Sequence, residues 1–245
     1  MKKTVFFIAI VGILIIFLFF FRFNFKLGTF QLPDGVTIEK NDNYSKANFA
    51  ASEGHSKQAI DFLLKAALEG YRHPFVYLNL AENYGALEKY DQALSLSQKA
   101  INILESNDIK VMYTYELNDF KDDKRIKTIA NAYSQHSMIL YELGRTEEAV
   151  LSANRALSLN PDDLRARDTL GKLALINKEY EKAIPIFQYF TRNSPKFVDA
   201  FFYLGQAQIG AGRTEDGKAS LATYLKRVPF SHPNAQKARD LLQNN

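Results

Sequence analysis

Gly144–Pro161 reads GRTEEAVLSANRALSLNP, and Glu179–Pro195 reads EYEKAIPIFQYFTRNSP. Each stretch ends on a proline, and Pro161, Pro195 and Pro229 are spaced 34 residues apart. Other positions keep step with them. Ser137, Gly171 and Gly205 share one position of the pattern, and Ala149, Ala183 and Gly217 share another. A fixed internal period of this length marks a chain built from stacked supersecondary units. With the prolines at position 32, blocks begin at Ala130, Leu164 and Val198. Carried backward, the register places two earlier copies at 40–73 and 74–107.

Position 8 then reads Ala47, Ala81, Ser137, Gly171 and Gly205, and position 20 reads Ala59, Ala93, Ala149, Ala183 and Gly217. All ten are small. Two antiparallel helices cross closely only where the facing residues lack bulk, so these positions predict the contact line of a helix pair in every block. Tyr77, Leu80, Tyr84 and Leu87, at helical spacing, supply a buried stripe. Gly54, Gly144 and Gly212 fall at position 15, where the first helix ends and the chain turns. The block-ending prolines stop the second helix. Pro185 lies within a second helix, and avoids a kink only if that helix starts no earlier than about Lys182. Gly217, standing where alanine is usual, is expected to loosen its helix by about 1 kcal/mol. Asn43 and Lys46 at ordinarily apolar positions mark the first block as a candidate polar cap. After Pro233, the stripe Ala235, Ala238, Leu241 and Leu242 predicts a terminal helix that covers the last unit.

This pattern resembles the tetratricopeptide repeat family, whose period is 34 residues. The resemblance covers residues 40–231 and departs from the family at position 4, which is never tryptophan: Asn43, Tyr77, Tyr133, Arg167, Phe201. It implies an all-α fold, a right-handed helical-repeat solenoid of about five antiparallel helix pairs. The blocks are 40–73, 74–107, 130–163, 164–197 and 198–231, with 232–245 as a C-terminal capping helix. It also implies a concave groove, lined by the first helices, that holds a peptide or partner protein. On this chain the groove residues are Leu78 and Glu82, then Ser134, Met138 and Tyr141, then Asp168 and Lys172, and last Phe202 and Gln206. A mixed lining of this sort suits an extended or helical peptide. The competing reading packs Met138 and Tyr141 against neighbouring helices. One subtype of the family grips chaperone carboxylates with lysine, asparagine and arginine. Asn48 and Asn79 match its amides, but Tyr44, Asn131 and Gln135 stand where its cations belong, which excludes that subtype.

Residues 108–129 interrupt the period. Ile109, Val111, Tyr113, Tyr115 and Leu117 alternate with Lys110, Met112, Thr114 and Glu116, a strand-type signal. The stretch Asp119–Lys127 is densely charged. Two readings stand: an elongated helix pair with a surface loop, or a docking segment around Tyr113 and Tyr115 that lies across the groove or offers a partner an edge.

Val5–Phe21 is seventeen residues without a charge or strongly polar group. Extended by Thr4, Phe23 and Phe25, it can cross a hydrocarbon core of about 30 Å, with Lys3 and Arg22 reaching toward the headgroups. Residues 1–26 therefore read as a transmembrane anchor, in contact with the bilayer through 4–25, and 27–39 as a linker turning at Pro33-Asp34-Gly35. A removable secretory signal is the competing reading, but it has a shorter apolar core and small residues at its cleavage site. Lys2 and Lys3 favour a cytoplasmic N-terminus, and Arg22, Lys26 and Lys40 weaken that bias. The preferred placement is a bacterial inner membrane with the repeats on the periplasmic side; the alternative is a cytoplasm-facing receptor or co-chaperone.

Lys2, Lys3, Arg22 and Lys26 are the charged residues of that N-terminal stretch, so the remaining 27 Lys and Arg balance 27 Asp and Glu. The body lacks the basic footprint that nucleic acid requires. Cysteine is absent, which excludes disulfides, thiolate metal sites and cysteine nucleophiles. His55, His73 and His232 fall near turns, and His136 falls within a helix as a satisfied core or groove residue. No paired-histidine metal motif, phosphate loop or serine elbow occurs. The sequence thus implies no catalytic residue, no cofactor and no metal. It reads as a membrane-anchored interaction scaffold of an envelope assembly, secretion or biogenesis complex; a site built across the groove is the enzymatic rival.

Overall fold

The computed structural model describes residues 41–71, 73–106 and 122–244, which belong to a compact unit that begins at Glu39. Among these residues there are eleven helices and no strands. They run α1 (Asp42–Ser52), α2 (Ser56–Leu68), α3 (Pro74–Ala86), α4 (Tyr90–Glu105), α5 (Asp122–Glu142), α6 (Thr146–Leu159), α7 (Leu164–Ile176), α8 (Tyr180–Asn193), α9 (Asp199–Gly210), α10 (Thr214–Leu225) and α11 (Ala235–Asn244). Five antiparallel pairs and a terminal helix account for them. Each first helix packs on its own partner, on the second helix of the preceding block and on the next first helix, which is the stacking of a solenoid.

Local chemistry sets the ends of the helices. Asn41 and Asp163 cap α1 and α7, each accepting a backbone N–H three residues on at 2.9 Å. Pro74 opens α3, where its missing donor costs nothing. The turn inside every block is one motif repeated five times. The amide at position 16 donates to the carbonyl at position 11: His55 to Ala50, Lys89 to Tyr84, Arg145 to Leu140, Glu179 to Ala174 and Arg213 to Gln208, all at 2.8–2.9 Å. This double-bonded helix stop requires a left-handed residue at position 15. Gly54, Gly144 and Gly212 supply it with φ of 76°, 72° and 79°, but so do Glu88 and Lys178 at 58°.

All ten residues at positions 8 and 20 are buried. A Cβ on Gly171 would lie 2.7 Å from Phe187 Cζ, and one on Gly205 would lie 2.6 Å from Leu221 Cγ. The expected looseness at Gly217 needs correction for the same reason. A Cβ there would meet Ile209 Cγ1 at 2.6 Å and the Gly205 carbonyl at 2.9 Å, so close crossing, and not lost propensity, governs this site.

Two further expectations change. The helix α8 starts at Tyr180, ahead of the limit set for Pro185, and carries the proline in its interior. Pro185 lies on the exposed face, where water can satisfy the Glu181 carbonyl it leaves free. The first helix of the third block starts upstream of Ala130, because α5 begins at Asp122 and is about two turns longer than the repeat needs. Arg125 fastens the extension by donating to the Leu104 carbonyl at 3.0 Å. The charged half of the interruption is therefore partly helical. The alternating part with Tyr113 and Tyr115, the linker and the membrane-anchor segment all lie outside the described residues. No helix among the described residues is long and apolar enough to cross a membrane.

The first block packs as a helix pair like the others. Ala47 and Ala50 bury against α2, Asn43 donates to Glu69 at 2.7 Å, and Phe49 stays exposed. The terminal helix forms as expected: Ala235 and Ala238 are buried, and Leu241 and Leu242 pack beside Phe202, Leu221 and Tyr224.

Candidate binding face

Successive first helices touch one another more extensively than successive second helices, which puts α3, α5, α7 and α9 on the inner side of the curve. The residues expected to line this face separate into two groups. Glu82 is exposed, 3.9 Å from Arg165, while Met138, Tyr141, Asp168, Lys172 and Gln206 are partly accessible. Leu78, Ser134 and Phe202 are not available: they are 4%, 0% and 1% exposed. All three occupy position 5, and the structure explains the discrepancy. Leu78 inserts among Ala100, Ile101 and Leu104 of α4 and Ala132 of α5. Phe202 inserts among Leu221 and Tyr224 of α10 and Ala238 of α11. Position 5 is the wedge that seals a block to the helix after it, not groove lining.

Asp168 occupies that same position in the fourth block. Its Oδ2 lies 2.7 Å from Lys172 Nζ one turn later, and the two side chains are 19% and 23% exposed. Its Oδ1 is buried and has no hydrogen-bond partner. Burial pushes the Asp168 carboxyl above its usual range; Lys172 pulls it down and Asp199 pushes it up further. Burial opposes the charge on Lys172 too, but the neighbouring Asp168 carboxylate outweighs it and holds the ammonium above its ordinary value. The ammonium lies 5.2 Å from the centre of the Tyr203 ring and 6.0 Å from that of Tyr141. Tyr203 is itself stacked on Phe187 at 5.2 Å. Sequence reasoning passed over Tyr203 because it lies at position 6.

A second concavity, of about 1010 Å³, lies between the first two blocks, with Asn48, Asn79, Glu82, Asn83 and His55 among its walls. Asn79 donates to Asn48 at 2.9 Å and to the Tyr44 hydroxyl at 3.3 Å, so a row of amides lines it. Three of the four histidines make structural contacts. His136 is buried with Nδ1 2.8 Å from Ser97 Oγ, His73 accepts from the Phe75 amide at the start of α3, and His232 meets the Tyr224 hydroxyl at 2.6 Å. Among the described residues no group of three His, Asp or Glu is placed to hold a metal ion.

Comparison with known proteins fits this geometry. Residues 135–196 and 199–231 match models of the tetratricopeptide repeat. The repeats in these two stretches are of the tetratricopeptide type. Relatives include the TPR repeat-containing protein MJ1428 of Methanocaldococcus jannaschii, 28% identical over 167 residues, covering 63% of this chain and 29% of that protein. Another is anaphase-promoting complex subunit 3 of Schizosaccharomyces pombe, 22% identical over 219 residues, covering 84% of this chain and 32% of that protein. The chain thus spans about a third of the length of these curated relatives. Among solved structures, YrrB, described as a TPR protein with an unusual peptide-binding site, superposes with a TM-score of 0.54 at 20% identity, over 81% of this chain and 90% of that one. MamA superposes with a TM-score of 0.54 at 18% identity, over 80% and 92% of the two chains. At these identities the likeness is one of fold. The fold is an all-helical repeat solenoid like those of tetratricopeptide proteins, on which the site must be argued from its own residues.

Proposed function

We propose that this chain is a protein-interaction scaffold that holds a segment of a partner protein along the inner face of its third to fifth blocks. The observation that carries this reading is the accessible strip of Met138, Tyr141, Lys172 and Gln206 on three successive inner helices, α5, α7 and α9. Apolar, aromatic and polar groups alternate across it, as peptide-binding grooves require. The reading is of a binder and not of an enzyme, and it is supported by three histidines engaged in capping or core contacts. The membrane-anchored form of the proposal rests on Val5–Phe21 and its flanking charges. In that form the repeats lie on the periplasmic side of a bacterial inner membrane and serve an assembly, secretion or biogenesis complex.

Photo-crosslinkers at Tyr141 and Gln206 in intact membranes test the groove, with one at Leu151, which is exposed on a second helix, as the comparison. We expect a discrete partner from the first two sites and not from the third; equal capture from all three overturns the assignment. Protease treatment of intact and opened cells tests the topology independently. Digestion of the repeats that requires breaching the inner membrane would reverse the orientation.

A further inference from the structure

The inner face carries a charge arrangement that selects the sign of its ligand. Position 5 is the sealed wedge, occupied by Leu78, Ser134 and Phe202 in three blocks, yet in the fourth it is Asp168. A carboxylate at such a place is costly unless its oxygens are satisfied. Lys172 satisfies Oδ2, and Oδ1 is left without a partner. The other charge acting on Asp168 is that of Asp199, a second carboxylate. Asp168 thus faces one ammonium and the repulsion of a second carboxylate, and that ammonium lies near the rings of Tyr203 and Tyr141. Aromatic rings beside a desolvated carboxylate form a receptor for a cation. Lys172 occupies it from within the chain.

We propose that this cluster is a binding site for a basic side chain of the partner segment, which enters between Tyr141 and Tyr203, pairs with Asp168 and displaces Lys172 toward solvent. The inference rests on the inner face being the binding surface. Arginine fits best, because its planar fork can engage both carboxylate oxygens and so satisfy Oδ1, which a single ammonium leaves open. The lysine stem is long and flexible enough to carry its charge outward when displaced. An acidic ligand is disfavoured: it would compete with Asp168 for Lys172 and meet the charge of Asp199.

The test uses the full-length chain in detergent micelles and four fluorescein-labelled peptides of about twelve residues, blocked at both ends. They share a leucine- and serine-rich sequence and differ only in a central arginine, lysine, norleucine or glutamate. We expect the arginine peptide to bind at least about fivefold more tightly than the norleucine peptide. Lys172→Met removes the internal competitor and should tighten arginine-peptide binding by a further factor of about five. Asp168→Asn should erase the preference, so that the arginine and norleucine peptides bind alike. Circular dichroism checks that each variant is folded, and Lys172→Gln replaces Lys172→Met if the latter is not. Equal binding of the arginine and norleucine peptides overturns the cation site and leaves the groove standing, provided Tyr141→Ala weakens both. Preference for the glutamate peptide, lost in Lys172→Met, overturns it in favour of an anion site. Absence of binding by all four peptides overturns it as well, and the crosslinking from Tyr141 then decides separately whether the groove survives.

Discussion

Glu88 and Lys178 hold a left-handed backbone that three other blocks assign to glycine. An L-residue with a Cβ is strained there, whereas glycine adopts the conformation freely. Glu88→Gly and Lys178→Gly should each stabilise the fold by roughly 0.5–1 kcal/mol, read as a higher midpoint in urea with an unchanged slope. Gly144→Ala should move the midpoint the other way. No gain from either glycine substitution would mean that those turns are set by packing and not by the backbone. The contrast with Gly217 is instructive, because there the same residue type is held by a neighbour 2.6 Å from its missing Cβ. Glycine at position 15 relieves a dihedral, and glycine at position 20 makes room.

Among the elements, α5 is the unusual one. Ser134, Gln135, His136 and Ser137 are four consecutive buried polar residues in its middle. Three of the side chains are held by specific bonds: Gln135 donates to the Leu78 carbonyl at 3.0 Å, Ser137 to the Ser134 carbonyl at 2.7 Å, and His136 pairs with Ser97 at 2.8 Å, while the Ser134 hydroxyl is buried without a partner. Burial lowers the His136 pKa to about 4, with Arg145 acting in the same direction and Glu148 against it. Burial lowers His73 to about 4 too. A histidine whose folded pKa is depressed resists protonation that the unfolded chain accepts near 6.5. Stability is therefore unaffected above that pH and falls as pH drops from about 6.5 toward 4, by on the order of 1–3 kcal/mol for each such histidine. Thermal melts between about pH 7 and 5 should show the loss, and His136→Asn should reduce the slope. Asp168 contributes in the opposite sense, because its raised pKa makes protonation favour the folded state, so the comparison with His136→Asn isolates the histidine. A slope unchanged by His136→Asn would remove this histidine from the account.

How far the sequence foretold these elements follows from what each signal measures. Small residues at positions 8 and 20 were legible because close crossing tolerates nothing larger, and the terminal helix was legible from its stripe. The helical extension from Asp122 was one of two readings left open for the interruption, because a charged run carries no periodic apolar signal to decide it. Glu88 and Lys178 were hidden because their strained turns are imposed by the hydrogen bonds around them. On the candidate face, Tyr141, Lys172 and Gln206 stand where the repeat register put them. Leu78, Ser134 and Phe202 do not, since a register gives the angle about a helix axis but not which angles the next block covers.

At the scale of the whole array, stability is a sum of blocks and of the joints between neighbours. Every joint but one is a short turn. Between α4 and α5 the connection runs from Ser106 to Lys121, and the two sides meet through Leu78 against Ala132, the Gln135–Leu78 bond and the Arg125–Leu104 bond. That joint is built from contacts that do not need the peptide chain to be continuous. Expressed as two polypeptides, 1–113 and 114–245, the protein should reassemble, with the halves copurifying and the heterodimer lost on Leu78→Asp. Failure to copurify would show that the joint depends on the tether. If the halves do find each other, the array is a two-part lock, in which whatever separates α4 from α5 also disconnects the amide-lined hollow from the strip proposed to hold the partner.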